Sequence, residues 1–167
     1  MKCYVDLPYP EIRVEKPNIE YAKILSNAYA GKISEQTAIL LYIFEHMTLN
    51  GEFKEYSETL KKIAIVEMHH LEMLGETIRL LGMEPVFMSY DKNKNGLVPW
   101  KATYVNYNVN VKDIVNIDIN EEERTIEYYN YVLEVVKDKY IRKLIERIIK
   151  DEELHLKIFK EFKKSLQ

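Results

Sequence analysis

Apolar residues recur at steps of three and four along most of the chain, the spacing that lines one face of an α-helix. From about Asn18 to Leu49 they fall at Ile24, Leu25, Ala28, Ile39, Tyr42 and Ile43. Asn50-Gly51 predicts the stop, because these residues favour the conformation that follows a helix end. A second periodic run spans about Phe53 to Leu81 and is closed by Gly82 and Pro85. A third covers about Val111 to Val136, and a fourth reaches about Leu166, with Lys137-Asp138-Lys139 as a tight turn between them. Residues 1–17 hold three prolines and read as an extended arm. Residues 83–112 carry turn chemistry (KNKNG), two prolines and no helical period, and read as a long crossover. Short turns force antiparallel neighbours, so this order predicts an all-α, antiparallel four-helix bundle with one long crossover between helices 2 and 3.

Polar residues interrupt the predicted buried stripes at one level only. The stripe on the second helix runs Leu60, Ile63, Glu67, His70, Leu74, Ile78, Leu81. On the fourth it runs Leu144, Ile148, Glu152, His155, Phe159, Phe162. The first gives Ala28, Glu35, Ile39, Tyr42, and the third gives Ile119, Glu122, Ile126, Tyr129, Leu133, Val136. Glu35 and Glu67 lie at similar distances on either side of the Asn50 turn, roughly 22 Å at the helical rise per residue. Glu122 and Glu152 flank the turn near Asp138 in the same way. Four carboxylates and two imidazoles are therefore expected to meet at mid-bundle.

Burying four carboxylates without counter-charge is very costly, and two divalent cations remove that cost. A single Glu-x-x-His is an ordinary surface pair. Two copies, each on an apolar stripe and each height-matched to a lone Glu, point to a di-metal centre with Glu35, Glu67, His70, Glu122, Glu152 and His155 as candidate ligands. Carboxylate and imidazole donors suit manganese or iron. Glu121 and Glu123 compete with Glu122, which the stripe favours through Ile119 and Ile126. His69 points away from His70, and His46 reads as a hydrogen-bonded core histidine. Glu72, Asp151 and Glu153 read as solvated charges. Tyr42 and Tyr129 each sit two turns beyond a lone Glu, placed to hydrogen-bond a ligand.

Composition narrows the picture further. The 167 residues suit a single domain over 1–167, and 47% hydrophobic content supplies its core. A net charge of -3 gives no basic footprint for nucleic acid. No run suggests a membrane span or a signal peptide, so a cytoplasmic location is expected. One cysteine, Cys3, can build neither an internal disulfide nor an iron–tetrathiolate centre.

Glu35 with Tyr42, the Glu67/His70 motif, the Glu122 region and the run DEELH ending in Glu152/His155 resemble the ligand pattern of bacterioferritins and rubrerythrins. The lead-in YPEIRVEKPNIEYAKIL, the run VEMHHLEML and the linker GLVPWKATYV are similar to the short, spore-coat-associated manganese catalases. The resemblance covers nearly all of the chain and implies the ferritin-like superfamily. It implies Glu35, Glu67, His70, Glu122 and His155 as the five ligands of a manganese catalase, with Glu67 and one glutamate of the other half as bridges. Glu152 is then either a sixth ligand, as in bacterioferritin-like sites, or a proton acceptor. Glu152 and Tyr42 are the candidate catalytic residues. The implied activity is disproportionation of hydrogen peroxide to O2 and water. The alternatives are a di-iron peroxidase or oxidase that needs an external electron donor, and an iron-storage or structural coat protein. A homo-oligomer is expected, with spore-coat association as a further implication.

Overall fold

The computed structural model describes residues 2–49 and 51–166. Five helices carry the fold: α1 (Ile19–Ala30), α2 (Glu35–Leu49), α3 (Lys54–Leu80), α4 (Val111–Val135) and α5 (Lys139–Ser165). Helices α2 and α3 pack extensively on each other, as do α4 and α5. The predicted four-helix bundle is present, with α1 and α2 together filling the place of its first helix. The expected stop at Asn50 lies outside the described residues, and Gly51 belongs to the turn that follows α2.

The first helix is broken, where the periodicity implied one continuous element. Residues 31–34 leave the helical conformation. The Gly31 amide bonds the Asn27 carbonyl at 3.0 Å, and a Cβ at Gly31 would lie 2.4 Å from that same oxygen. Only glycine fits such a close approach. The Ser34 hydroxyl then accepts from the Thr37 amide at 3.2 Å, an N-cap that starts α2. Trp100 reaches over from the crossover and donates to the Thr37 hydroxyl at 2.9 Å. The break places Glu35 on the first residue of a new helix.

The crossover contains a hairpin, β1 (Met88–Asp91) paired antiparallel with β2 (Gly96–Pro99), and then a 3-10 turn at Ala102–Tyr104. The hairpin docks on α1, where the Tyr90 amide donates to the Ser26 hydroxyl at 2.9 Å. Gly82, at φ 96°, takes the left-handed conformation that ends α3. Asp138 caps α5 by accepting from the amides of Tyr140 and Ile141, which explains the turn at 137–139. Its second oxygen accepts from the Glu15 amide at 2.6 Å, so the same side chain ties down the N-terminal arm.

Two apolar clusters fill the bundle. One gathers α1, the later parts of α3 and α4, and the start of α5. The other gathers α2, the earlier parts of α3 and α4, and the end of α5. The polar level of the stripes lies between them. On α4 the buried spine is Val115, Asp118, Glu122, Tyr129, Val132 and Val136, while Ile119, Ile126 and Leu133 are only half-buried. The spine keeps Glu122, Tyr129 and Val136 of the predicted stripe but takes Asp118 and Val132 in place of Ile119 and Leu133. No helix among the described residues is long and apolar enough to cross a membrane.

Candidate metal centre

The six residues predicted to meet at mid-bundle do meet. Glu35, Glu67, His70, Glu122, Glu152 and His155 are each at most 2% exposed. They form two groups of potential donors, Glu35–Glu67–His70–Glu152 and Glu67–Glu122–Glu152–His155, each with its donor atoms within 4.8 Å of one another. Glu67 and Glu152 belong to both groups. Such a set could hold two ions, with Glu67 and Glu152 common to both donor groups. Of the second half's glutamates, Glu152 is the one common to both groups. Glu122, rather than the half-buried Glu121 or the exposed Glu123, faces inward.

Both imidazoles turn the same atom inward. His70 Nδ1 lies 2.8 Å from Glu67, 3.0 Å from Glu152 and 3.7 Å from Glu35. His155 Nδ1 lies 3.0 Å from Glu67, 3.3 Å from Glu152 and 3.7 Å from Glu122. The outward nitrogens are tethered. His155 Nε2 bonds the Cys3 carbonyl at 2.7 Å, and His70 Nε2 bonds Asp151 at 3.1 Å. A carbonyl can only accept, so His155 carries a proton on Nε2. That leaves Nδ1 free to offer its lone pair inward, the arrangement expected of a metal-binding histidine. Glu67 Oε1 and Glu152 Oε1 are buried, and each lies 3.0 Å from an inward imidazole Nδ1 without forming a hydrogen bond, as donors arranged round a shared point would. The donor set therefore fits two metal ions.

The two lone glutamates are held by tyrosines in a crossed pattern. Tyr42 on α2 donates to Glu122 on α4 at 2.5 Å. Tyr129 on α4 donates back to Glu35 on α2. Each tyrosine follows the glutamate of its own helix by seven residues but bonds the glutamate of the other.

Asp151 corrects the reading of that residue as a solvated charge. It is fully buried, accepting from the Val5 amide at 2.7 Å and the Tyr9 hydroxyl at 2.5 Å. Arg147 pairs with it at 2.8 Å and also donates to the Val5 and Leu7 carbonyls. Burial opposes its charge, yet His70, Tyr9, the Val5 amide and Arg147 together hold its carboxyl down at about 2. The N-terminal arm thus lies across one side of the centre and supplies Cys3 to one histidine and, through Asp151, support to the other. The remaining readings agree with the structure: His46 is half-buried and bonds Ser57, and His69, Glu72 and Glu153 are exposed.

Charge in the centre is balanced by protons in the absence of metal. Burial, then the charges of Glu152 and Glu67, raise Glu35 to about 8. Burial and Glu152 raise Glu122 well above the usual carboxylate range. Burial works against a charged imidazole, but the surrounding carboxylates outweigh it and raise both His70 and His155. His70 and His155 in turn hold Glu152 below the usual range against its burial. A metal ion must displace the raised protons, so binding weakens as pH falls and those groups fill. Calorimetric titration at pH 7 in buffers of different ionisation enthalpy should show net proton release. Uptake without release would contradict this account.

Four antiparallel helices joined by one long crossover, with acids and histidines converging between two apolar clusters, define a ferritin-like bundle with a cluster able to bind metals. The rubrerythrin family model matches residues 23–163, and the chain belongs to that family. A bacterioferritin from Desulfovibrio desulfuricans is 32% identical over 139 residues, covering 81% of this chain and 71% of the relative. A probable manganese catalase from Clostridium acetobutylicum is 26% identical over 176 residues, covering 90% of this chain and 73% of the relative. Among solved structures, a manganese catalase from Anabaena PCC7120 superimposes with a TM-score of 0.84 at 22% identity, covering 98% of this chain and 80% of that one. The Desulfovibrio desulfuricans bacterioferritin, whose diiron site has been seen in different catalytic states, superimposes with a TM-score of 0.73 at 30% identity. It covers 87% of this chain and 78% of that one.

Proposed function

We propose that this chain is a di-metal oxidoreductase that consumes hydrogen peroxide by disproportionation, with Glu35, Glu67, His70, Glu122, Glu152 and His155 holding two manganese ions. The observation that carries the di-metal part of the reading is the sharing of Glu67 and Glu152 between two donor groups. Two ions held by these residues would supply two-electron chemistry at one place, which is what both oxidation and reduction of a peroxide need. The likeness to a probable manganese catalase over most of the chain supports manganese. Disproportionation uses peroxide as both donor and acceptor.

The chain's own residues fix charge and position. Glu152, flanked by both imidazoles, stays ionised and would hold its place between the two donor groups. Tyr42 and Tyr129 fix the orientation of Glu122 and Glu35. Asp151 and the Cys3 carbonyl fix the two rings. The apolar clusters above and below exclude water and strengthen each of these interactions.

A second reading is a di-iron peroxidase or oxidase that draws on an external donor. Glu152 favours it, because its position in both groups matches a six-ligand, bacterioferritin-like set. Oxygen evolution from hydrogen peroxide by manganese-loaded protein, with an iron-loaded sample beside it, separates the two. Vigorous oxygen release with manganese is the expected result. Silence from both forms would remove the catalase reading.

A further inference from the structure

An ion bound for the centre must cross the wall of the bundle, since all six candidate ligands are buried. We propose that Glu45 and Asp118 form a transit site for one divalent cation in the wall between α2 and α4. The destination assumed here is the di-metal centre proposed above.

Glu45 lies one turn beyond Tyr42 on α2, and Asp118 lies one turn before Glu122 on α4. They are 1% and 0% exposed. Both Glu45 carboxylate oxygens and Asp118 Oδ1 are buried without a donor from any other residue, and the two carboxyl groups lie close enough to share one proton. The Tyr56 hydroxyl donates to the other Asp118 oxygen. Among the described residues no Lys, Arg or His pairs with either acid, whereas the equally buried Asp151 has Arg147 and His70. Two buried carboxylates without a basic partner require either a proton or a cation between them. Burial and Asp118 raise Glu45, and burial raises Asp118 to about 7, so the empty pair keeps a proton that an arriving cation can replace.

The donors are hard oxygens, suited to manganese(II), iron(II) or another oxygen-loving divalent ion. Three free oxygens are too few for tight binding, as a transit site requires. The pair also has an outer and an inner neighbour. On the outer side is Glu121, whose side chain is 24% exposed and which pairs with Arg124 at 3.2 Å. On the inner side is Glu122, held by Tyr42. Acids thus run from Glu121 through Glu45 and Asp118 to the centre, and each step inward trades water for a carboxylate.

The test is manganese(II) uptake by the metal-free full chain, followed by electron paramagnetic resonance of the free ion. Glu45→Gln and Asp118→Asn keep shape and remove charge, and circular dichroism checks that both stay helical. The wild type should take a weak third equivalent beyond a tight pair. Both variants should lose that third equivalent, keep the tight pair and load it about tenfold more slowly or worse, as expected when a focusing charge is removed. A wild type that binds the tight pair alone, or variants that load it at the wild-type rate, would overturn the transit site. A wild type with no tight pair, but with one weak equivalent that Glu45→Gln removes, would instead sink the di-metal reading and leave Glu45 and Asp118 as the cation site.

Discussion

Glu67→Ala should empty both metal positions, whereas Glu35→Ala should empty mainly one. Glu67 is shared by both donor groups, while Glu35 belongs to one. Removing a shared carboxylate takes a donor and a negative charge from each ion at once. The fall in affinity should exceed the roughly 10–100-fold that loss of a ligand's supporting partner costs. The helices should persist, because the two apolar clusters are untouched and one uncompensated buried acid is gone. Metal content per chain and far-ultraviolet circular dichroism are the readouts. Full occupancy in Glu67→Ala would place the metal elsewhere.

Asp151→Ala should be the most destabilising single change near the centre, costing about 3–5 kcal/mol, the range for removing one partner of a buried charge pair. It strands the Arg147 guanidinium and leaves the Val5 amide, the Tyr9 hydroxyl and His70 Nε2 short of an acceptor. Metal affinity should drop about 10–100-fold as the His70 ring loses its support. Denaturant unfolding and metal titration measure the two effects separately. The pH dependence has a definite sign. The folded-state carboxyl is lowered from 3.8 to about 2, so its stabilisation is present above its ordinary value and is lost as pH falls through the lower one. Stability within about 0.5 kcal/mol of wild type, as for an ordinary surface change, would mean that the arm is not anchored there.

The clustering of the six buried acids and histidines was legible because a polar residue on an otherwise apolar stripe stands out, and because two such stripes carry the same Glu-x-x-His spacing. Asp151 was not, for a physical reason. It sits beside the stripe, on the flank of α5 that the arm covers, and helical periodicity says nothing about what a proline-rich arm will cover. Glu45 and Asp118 were missed differently. They continue the buried faces of Tyr42 and Glu122 at helical spacing, but neither belongs to a repeated motif, so nothing in the sequence singles them out. The break in the first helix did have a local signature, Gly31 followed by Ser34 and Thr37, that a strong apolar period on both sides masked. The hairpin in the crossover was foreshadowed only by its turn residues, since strands of four residues leave little alternation to read.

The crossed tyrosines tie assembly of the centre to docking of the two helical hairpins. Neither hairpin can orient its own lone glutamate, because Glu35 waits for Tyr129 and Glu122 for Tyr42. A hairpin standing alone would present a floppy acid and a weak site. With ions in the proposed centre, docking and metal capture would be two views of one equilibrium, and metal concentration would become a dial on the cohesion of the whole bundle.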